Sequence, residues 1–499
     1  MKTLTFTSVL FFLSAISFAQ TPSIEWQKSL GGTNQEYEHC IRQTTDGGYI
    51  IVGESVSPIG GMITNNYGSY DCWVVKMNAT GGLEWQKTLG GSGYDRANSV
   101  QLTADGGYIV VGVTNSNNYD VIGHYGGSDV WVVKLSSTGV IEWQKPLGGS
   151  SEDEGFSIQQ TTDGGYILCG YTFSTNGAVT TAIGGWIVKL NNTGTIQWQK
   201  SIGNYMNCIQ QTTDGGYIAT GYTNGPLGNN DYHIVKLNSS GTTVWQKYYG
   251  GTSIDIAEYI EQTTDGGYIV AGTSDSSNTH VTNNNGSDDY WLLKLNSLGE
   301  LQWQKALGGS TYDYGKSVHQ TSDGGFITCG YVNSSNGMVT GNHGDADYWV
   351  VKLDNLGTVV WQKTLGGSGT DWGRSIQQTT DGGYIVAGTT GSFNGDVTVQ
   401  YGDRDFWVVK LSPDNLSTTD FSNENRVIIY PNPTKDYFKL SNYKNIQKIE
   451  VYDINGKRLI LKNDFKEEKI AIQNFSKGIY PIKIYLDNGN IISDKIMKE

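Results

Sequence analysis

The sequence has few charged residues, few prolines and few cysteines. Charged residues make up 16% of the 499 positions, beside 8 Pro and 5 Cys. The 12% aromatic content is too high for a disordered chain, and 67 Gly are too many for a helical one. Heptads and other helical periodicities are missing. The odd number of Cys argues against a disulfide framework; Cys40 and Cys208 share one repeat position and predict small core residues instead.

Sequence signatures of common enzymes are also missing. The chain has no G-x-S-x-G elbow, no HExxH and no phosphate loop, and its His residues show no metal-ligand spacing. The net charge of −14 is uneven, because the part from Asn425 onward holds 14 basic and 9 acidic residues. The remaining acidic body would repel phosphates, so nucleic acid is not expected as a partner.

The N-terminus is typical of a secretory signal. Lys2 precedes the apolar run "VLFFLSAISF", and "SFA" before Gln20 is a small-x-small cleavage site. We therefore predict a signal peptide over residues 1–19. No later run is long and apolar enough to predict a transmembrane segment in the mature chain.

Three short phrases recur seven times with a usual period of 58 residues. They are WQK, DGG followed by Tyr or Phe, and a "VVKL"-like run; in the last full unit they begin at Trp361, Asp381 and Val408. Each unit contains four strand-like pieces separated by Gly, Asp and Asn. Four antiparallel strands repeated seven times predict a β-propeller over residues 20–413, with a β-solenoid as the alternative.

The ends of the repeat favour a closed ring. The mature chain opens with "IEWQKSL", a fourth strand without its first three, and the last unit stops at Leu411 after its third strand. Pairing Ile24–Leu30 with the last unit would complete a seventh blade and remove two exposed sheet edges. We predict that the seven DGGY copies build turns and core.

Candidate binding residues fall where loops of variable sequence share one face of this ring. The loops between blades carry "GGSxxD", which predicts a rim of carboxylates at the channel mouth, next to the one Trp outside the repeat. The carboxylates are compatible either with a Ca²⁺ site or with simple capping of turns. The Trp is compatible either with stacking against a sugar ring or with plain packing. These speculative rim residues are Glu36, Asp95, Asp153, Asp255, Asp313, Asp371 and Trp372.

Variable rim loops without catalytic motifs favour a non-catalytic binding module for a glycan or protein ligand, and no catalytic residues are assigned. A hydrolase or lyase acting on polysaccharide at the channel mouth is the alternative. A structural or adhesive surface protein without a discrete ligand is a third hypothesis.

Composition changes after a linker at 414–425. Beyond it come "YPNPTKDYFKL" at Tyr430–Leu440, "VYDINGKRL" at Val451–Leu459, "KGIYPIKI" at Lys477–Ile484 and a terminal "KIMKE". Residues 426–499 resemble the type A C-terminal sorting domain of the type IX (Por) secretion system of Bacteroidetes. The motif residues are Tyr430, Pro431, Asn432, Pro433, Asn455, Gly456, Lys457, Gly478 and Tyr480.

The resemblance implies a small β-sandwich and an export route. The protein would cross the outer membrane through the type IX translocon, and a sortase-like peptidase would remove the tail. It would then be released or attached to the outer-membrane surface. One departure is Pro481, which falls in a strand and predicts an edge strand or a bulge there.

Overall fold

The structure is a computed structural model that describes residues 21–414, 429–440, 446–453, 456–463, 469–487 and 491–499. The signal peptide and Asn455 lie outside the described residues. The chain divides into two compact units between Leu416 and Ser417. Every regular element described is a β-strand, and no described helix is long and apolar enough to cross a bilayer.

The first unit contains seven four-stranded antiparallel sheets, one for each repeat. Blade 1 is β2 (Glu36–Gln43), β3 (Tyr49–Ser55), β4 (Asp71–Met77) and β5 (Leu83–Leu89); blade 2 is β6 (Asp95–Leu102), β7 (Tyr108–Thr114), β8 (Asp129–Leu135) and β9 (Ile141–Leu147); blade 3 is β10 (Asp153–Gln160), β11 (Tyr166–Thr172), β12 (Gly184–Leu190) and β13 (Ile196–Ser201); blade 4 is β14 (Tyr205–Gln211), β15 (Tyr217–Thr223), β16 (Asp231–Leu237) and β17 (Thr243–Tyr249). Blade 5 is β18 (Asp255–Gln262), β19 (Tyr268–Ser274), β20 (Asp289–Leu295) and β21 (Leu301–Leu307); blade 6 is β22 (Asp313–Gln320), β23 (Phe326–Val332), β24 (Asp347–Leu353) and β25 (Val359–Leu365); blade 7 is β26 (Asp371–Gln378), β27 (Tyr384–Thr390), β28 (Asp405–Leu411) and, from the other end of the chain, β1 (Ile24–Leu30).

The N-terminal strand completes the seventh blade, as predicted. β1 pairs antiparallel with β28, so that Ser29 lies opposite Trp407, and Trp407 Nε1 donates a hydrogen bond to Gln27 Oε1 at 2.7 Å. The first strands of successive blades are neighbours all the way round, including β26 beside β2. Glu38 N donates to Thr389 Oγ1 across this last junction at 3.0 Å. The architecture is a seven-bladed β-propeller.

The repeated phrases are contacts within and between blades. In every blade the Gln of WQK accepts a hydrogen bond from the third-strand Trp, or from His233 in blade 4. The Trp of WQK packs against the aromatic residue of the next DGG phrase, with ring centroids 5.7–6.0 Å apart. The hydrophobic core is therefore shared between adjacent sheets all around the ring.

The Asp of DGG has two uses in each blade. In blade 6 Asp323 accepts hydrogen bonds from Thr321 Oγ1 and Gly325 N, which closes the turn after the first strand. It also lies 2.9 Å from the ammonium group of Lys352, a third-strand residue that is 1% exposed. The same pair occurs in all seven blades at 2.9–3.0 Å.

The second unit is a small sandwich of two sheets. One sheet has the order β29 (Ile429–Tyr430), β30 (Tyr437–Leu440), β33 (Lys469–Ala471), and the other has the order β32 (Arg458–Asn463), β31 (Ile446–Tyr452), β34 (Gly478–Leu486), β35 (Ile491–Lys498). Apolar side chains of both sheets, such as Phe438 and Ile484, share one core. β34 is a central strand, but its pairing with β31 ends at Ile482, so Pro481 interrupts no pair on that side.

Ring closure is testable by truncation. Deleting residues 21–30 exposes the edge of β28 and leaves Trp407 and Lys410 without Gln27 and Glu25. We expect the melting temperature to fall by about 10 °C or more relative to the chain beginning at Thr21. An unchanged melting temperature in a calorimetric scan would contradict the closure described above.

The Asp–Lys pair is testable by comparing two blades. Lys352 has Asp323 as its only carboxylate partner among the described residues, whereas Lys76 also bonds Glu84 at 2.9 Å. Asp323→Ala should therefore lower the free energy of unfolding by about 2 kcal/mol more than Asp46→Ala, because a buried ammonium group is left without a counter-charge. Both variants lose the same turn hydrogen bonds, so equal losses in urea titrations would rule out this role for the pair.

Candidate functional site

The six predicted rim carboxylates are buried and hold loops together. Asp95 is 0% exposed and accepts hydrogen bonds from Gly91 N and Ser116 Oγ, each at 2.7 Å, and from Thr114 Oγ1. Its equivalents at Glu36, Asp153, Asp255, Asp313 and Asp371 are equally buried and likewise accept a backbone N–H and a Ser hydroxyl. Their oxygens are used in turn capping and do not face the channel.

A second buried carboxylate lies beside each of these six. Asp129 is 0% exposed; its Oδ2 accepts from Tyr125 N at 2.7 Å and its Oδ1 has no hydrogen-bond partner. Asp129 Oδ1 and Asp153 Oδ2 lie 2.2 and 2.5 Å from the point where a Cβ on Gly148 would sit, so only glycine fits there. The other members of this series are Asp71, Asp231, Asp289, Asp347 and Asp405, each with the same unpartnered oxygen.

Burial raises the pKa of several carboxyls of this second series. Desolvation, with the neighbouring carboxylate as a smaller cause, raises the pKa of Asp129 to about 7. The same causes raise the pKa of Asp289 and of Asp405 to about 7. Within the described residues no group of three or more His, Cys, Asp or Glu side chains is arranged to hold a metal ion.

The central channel contains a cavity of about 460 Å³ that is lined by all seven blades. All of its lining residues except Tyr222 belong to the first strands of the blades. One lining residue from each blade, in order, is His39, Asn98, Phe156, Asn207, Glu258, Lys316 and Arg374. The volume lies in the range of sites for small ligands.

Charges in this cavity are mostly positive, in contrast to the acidic body. Its lining includes four cationic side chains, Arg42, Arg96, Lys316 and Arg374, and one carboxylate, Glu258. Lys316 is paired with Glu258 at 2.5 Å, and Arg96 is paired with Glu154.

Two arcs of aromatic side chains adjoin the cavity, and three members of the second arc also line it. We call this set the aromatic collar; it has one arc on blades 6, 7 and 1 and another on blades 3 and 4. In the first arc the centroids of neighbouring rings lie 5.1–6.5 Å apart, and in the second 4.9–6.4 Å apart. The members are Tyr312, Tyr314, Tyr331, Trp372 and Tyr37, and then Phe156, Tyr171, Phe173, Tyr205 and Tyr222.

Trp372 is the centre of the first arc. It is half-buried, lies between the rings of Tyr37 and Tyr331, and carries the guanidinium group of Arg404 4.2 Å from its ring centroid. Such bracing holds the indole in one orientation beside the channel mouth.

The structure thus separates the predicted rim residues into two groups. Trp372 lies in the collar, whereas the six carboxylates lie beneath the loops. Sequence reasoning did not single out Arg42, Glu38 or the Tyr pair Tyr205 and Tyr222. For Glu38 the sequence did contain a signal. This residue occupies a first-strand position that holds Ala, Gly or Met in the other six blades.

In the second unit a motif residue near its start forms hydrogen bonds with the last strand. Asn432 Nδ2 donates to Lys495 O and Asn432 Oδ1 accepts from Met497 N, both at 2.8 Å. Tyr480 Oη donates to Ser476 O at 2.7 Å, and Gly456 has φ +81° in a tight turn, where a left-handed conformation favours glycine. Tyr430–Pro433 thus lies against the last strand.

An all-β propeller followed by a small sandwich is the class of protein that this structure defines. Residues 428–499 match the family described as "Secretion system C-terminal sorting domain". The chain thus carries such a sorting domain, which indicates export through the type IX secretion system to the cell surface or the medium. A comparison with curated protein sequences finds no match.

Several solved structures are similar in architecture. A protein of unknown function from Bacteroides caccae is 15% identical over 59% of this chain and 90% of its own, with a TM-score of 0.35. BamB from Moraxella catarrhalis is 14% identical over 79% and 100%, with a TM-score of 0.36. YCF48, solved bound to D1 peptide, is 11% identical over 81% and 100%, with a TM-score of 0.42. The fold of this chain is defined by the strand order of its seven sheets.

The second carboxylate series predicts a pH dependence of stability. A carboxyl whose pKa is about 7 when folded and about 4 when unfolded stabilises the fold below pH ~4, and this contribution is lost as the pH rises to about 7. The free energy of unfolding should therefore decrease between about pH 4 and pH 7, by up to about 1.4 kcal/mol per pH unit for each such carboxyl midway between its two pKa values. Asp129→Asn should reduce this slope, because the amide carries no charge and can donate to Asp153.

The control is Asp105→Asn in the same blade. Desolvation raises the pKa of Asp105, but hydrogen bonds from Thr103, Lys134 and Gly107 outweigh it and lower that pKa to about 2. Its contribution is therefore lost only in acid, and the slope above about pH 5 should remain. An Asp129→Asn slope equal to that of the natural protein would refute this assignment.

Proposed function

We propose that the propeller is an exported, non-catalytic binding module whose ligand is a glycan held at the aromatic collar. The observation that carries this proposal is the double arc of half-exposed Tyr, Phe and Trp rings around one mouth of the channel. Tyr and Trp present an apolar face and a polar edge, which suits the alternating C–H and hydroxyl surfaces of sugar rings.

The scaffold supports this use of the collar. The repeated residues are engaged in blade packing, so the side chains that differ between blades are free to vary at the mouth. Loops that connect second and third strands border the same face, as shown by Asn118 Oδ1, which accepts from Ser92 N of the inter-blade loop at 2.8 Å. Variable residues on a rigid frame are the usual setting for recognition.

The sorting domain supplies the delivery route in this proposal. The type IX translocon would carry the chain across the outer membrane, and its sortase-like peptidase would remove the tail. The propeller would then meet glycans either on the cell surface or in the medium.

The test is binding of the full exported chain to a glycan array, followed by affinity measurements on the best glycan. Trp372→Ala should weaken binding about tenfold or more, because it removes the central ring of the first arc. Trp372→Phe keeps a ring beneath Arg404 and should stay within about threefold of the natural protein.

Three outcomes would overturn the proposal. They are equal affinities of the natural protein and Trp372→Ala, binding of peptides but of no glycan, and release of new reducing ends or unsaturated products from bound polysaccharide. The last would establish a hydrolase or lyase instead.

A further inference from the structure

The channel cavity combines a positive lining with an acidic protein body, and two of its cations lack a carboxylate partner. Lys316 and Arg96 are each paired with a glutamate. Arg42 Nη1 donates only to the Ile41 carbonyl at 2.8 Å and to Ser375 Oγ at 3.4 Å. Among the residues that the structure describes, none forms a hydrogen bond or ion pair with the Arg374 side chain.

Glu38 is a buried carboxyl that both arginines influence electrostatically. Glu38 is fully buried, and neither of its carboxylate oxygens has a hydrogen-bond partner among the described residues. Desolvation raises the pKa of Glu38 to about 8, against the opposing influence of Arg374 and Arg42. At neutral pH Glu38 is therefore mostly protonated and supplies little negative charge to the two guanidinium groups.

We infer that Arg374 and Arg42 form an oxyanion site within the channel cavity, which binds the acidic group of a sugar whose ring rests on the aromatic collar. The inference rests on the proposed function and names its ligand class, an acidic glycan. A guanidinium group presents paired N–H donors that match a carboxylate or sulfate, and such charge-assisted bonds are strong where water is partly excluded.

The arrangement of the site agrees with this ligand. Tyr205 and Tyr222 belong to the collar and also line the cavity, so the aromatic and cationic surfaces are continuous. The hydroxyl of Ser375 and the amide of Asn207 add uncharged polar groups to the same lining. A cavity of about 460 Å³ holds a short piece of a chain, not a whole polymer.

The experiment compares matched ligands on the full chain by calorimetry. The probes are an oligogalacturonate, its methyl ester, which has the same shape without charge, and a sulfated oligosaccharide of equal length. The oligogalacturonate should bind about tenfold or more tightly than the methyl ester, and raising the salt from about 50 to 300 mM should reduce only the acidic ligand's advantage. If the sulfated probe binds best, the oxyanion site is supported, and the acidic group that it binds is a sulfate.

Variants separate the two arginines from general charge effects. Arg374→Gln and Arg42→Gln should each remove most of the acidic ligand's advantage and leave affinity for the methyl ester unchanged. Lys145→Gln removes one charge from the exposed outer strand of blade 2 and should change neither affinity. The comparison of ligands on the natural protein requires no variant, so it remains decisive if a variant fails to fold.

Failure of this inference differs from failure of the proposed function. Equal binding of the acid and the ester, with loss of both in Trp372→Ala, would overturn the oxyanion site and keep the glycan module. Binding of neither probe together with no binding on the glycan array would overturn both. Preferential binding of a polyglutamate peptide over every glycan would also overturn both.

Discussion

The pairing of β1 with β28 is the interaction on which the rest of the propeller depends. The strand Ile24–Leu30 completes a sheet that begins some 350 residues later, and Gln27 accepts the Trp407 indole hydrogen bond there as its equivalents do in the other blades. Without this strand the seventh blade has a bare edge and the ring no longer has a closed circumference. The channel cavity has one wall from each of seven blades, so it exists only in the closed ring.

Residues that repeat in every blade and residues that vary between blades have different roles in the closed ring. Trp, Gln, Asp and Lys of the repeated phrases bond one another within a blade or pack against the next, and they do so in nearly identical geometry seven times. Because these repeated contacts stabilise the fold, the first-strand residues that face the channel can differ from blade to blade. Charged and aromatic residues such as Arg374, Lys316 and Trp372 occur at these variable positions.

Acidic and basic side chains also lie in different parts of the propeller. Carboxylates are numerous, but the two series at the blade junctions are buried under loops. One series caps turns, and burial raises the pKa of Asp129, Asp289 and Asp405 in the other. Most cations of the propeller are repeated lysines of the third and fourth strands, but the channel lining holds four cations and one carboxylate. An overall acidic protein thus presents a positive cavity behind an aromatic entrance, and that contrast underlies the ligand class inferred above.

Much of the architecture was predictable from the sequence, because periodicity is a local property that can be counted. The seven units, their four strands, the role of Ile24–Leu30 and the sorting domain all follow from repeated phrases, turn residues and short motifs, and the structure confirms the propeller. The candidate site was predictable only in part. The "GGSxxD" pattern located six carboxylates at the junctions between blades, yet the pattern alone does not tell whether a side chain points into a channel or under a loop.

The sequence by itself therefore determined the blade count, the strand order within a blade and the export tail, since each depends on neighbours close in the chain or on a fixed period. Only the tertiary structure decided that the rim carboxylates are buried, that Trp372 lies between Tyr37 and Tyr331, and that Arg42 and Arg374 share a cavity. Those relations join residues from different blades, often hundreds of positions apart. They arise because the closed ring brings one strand of every blade to a common axis.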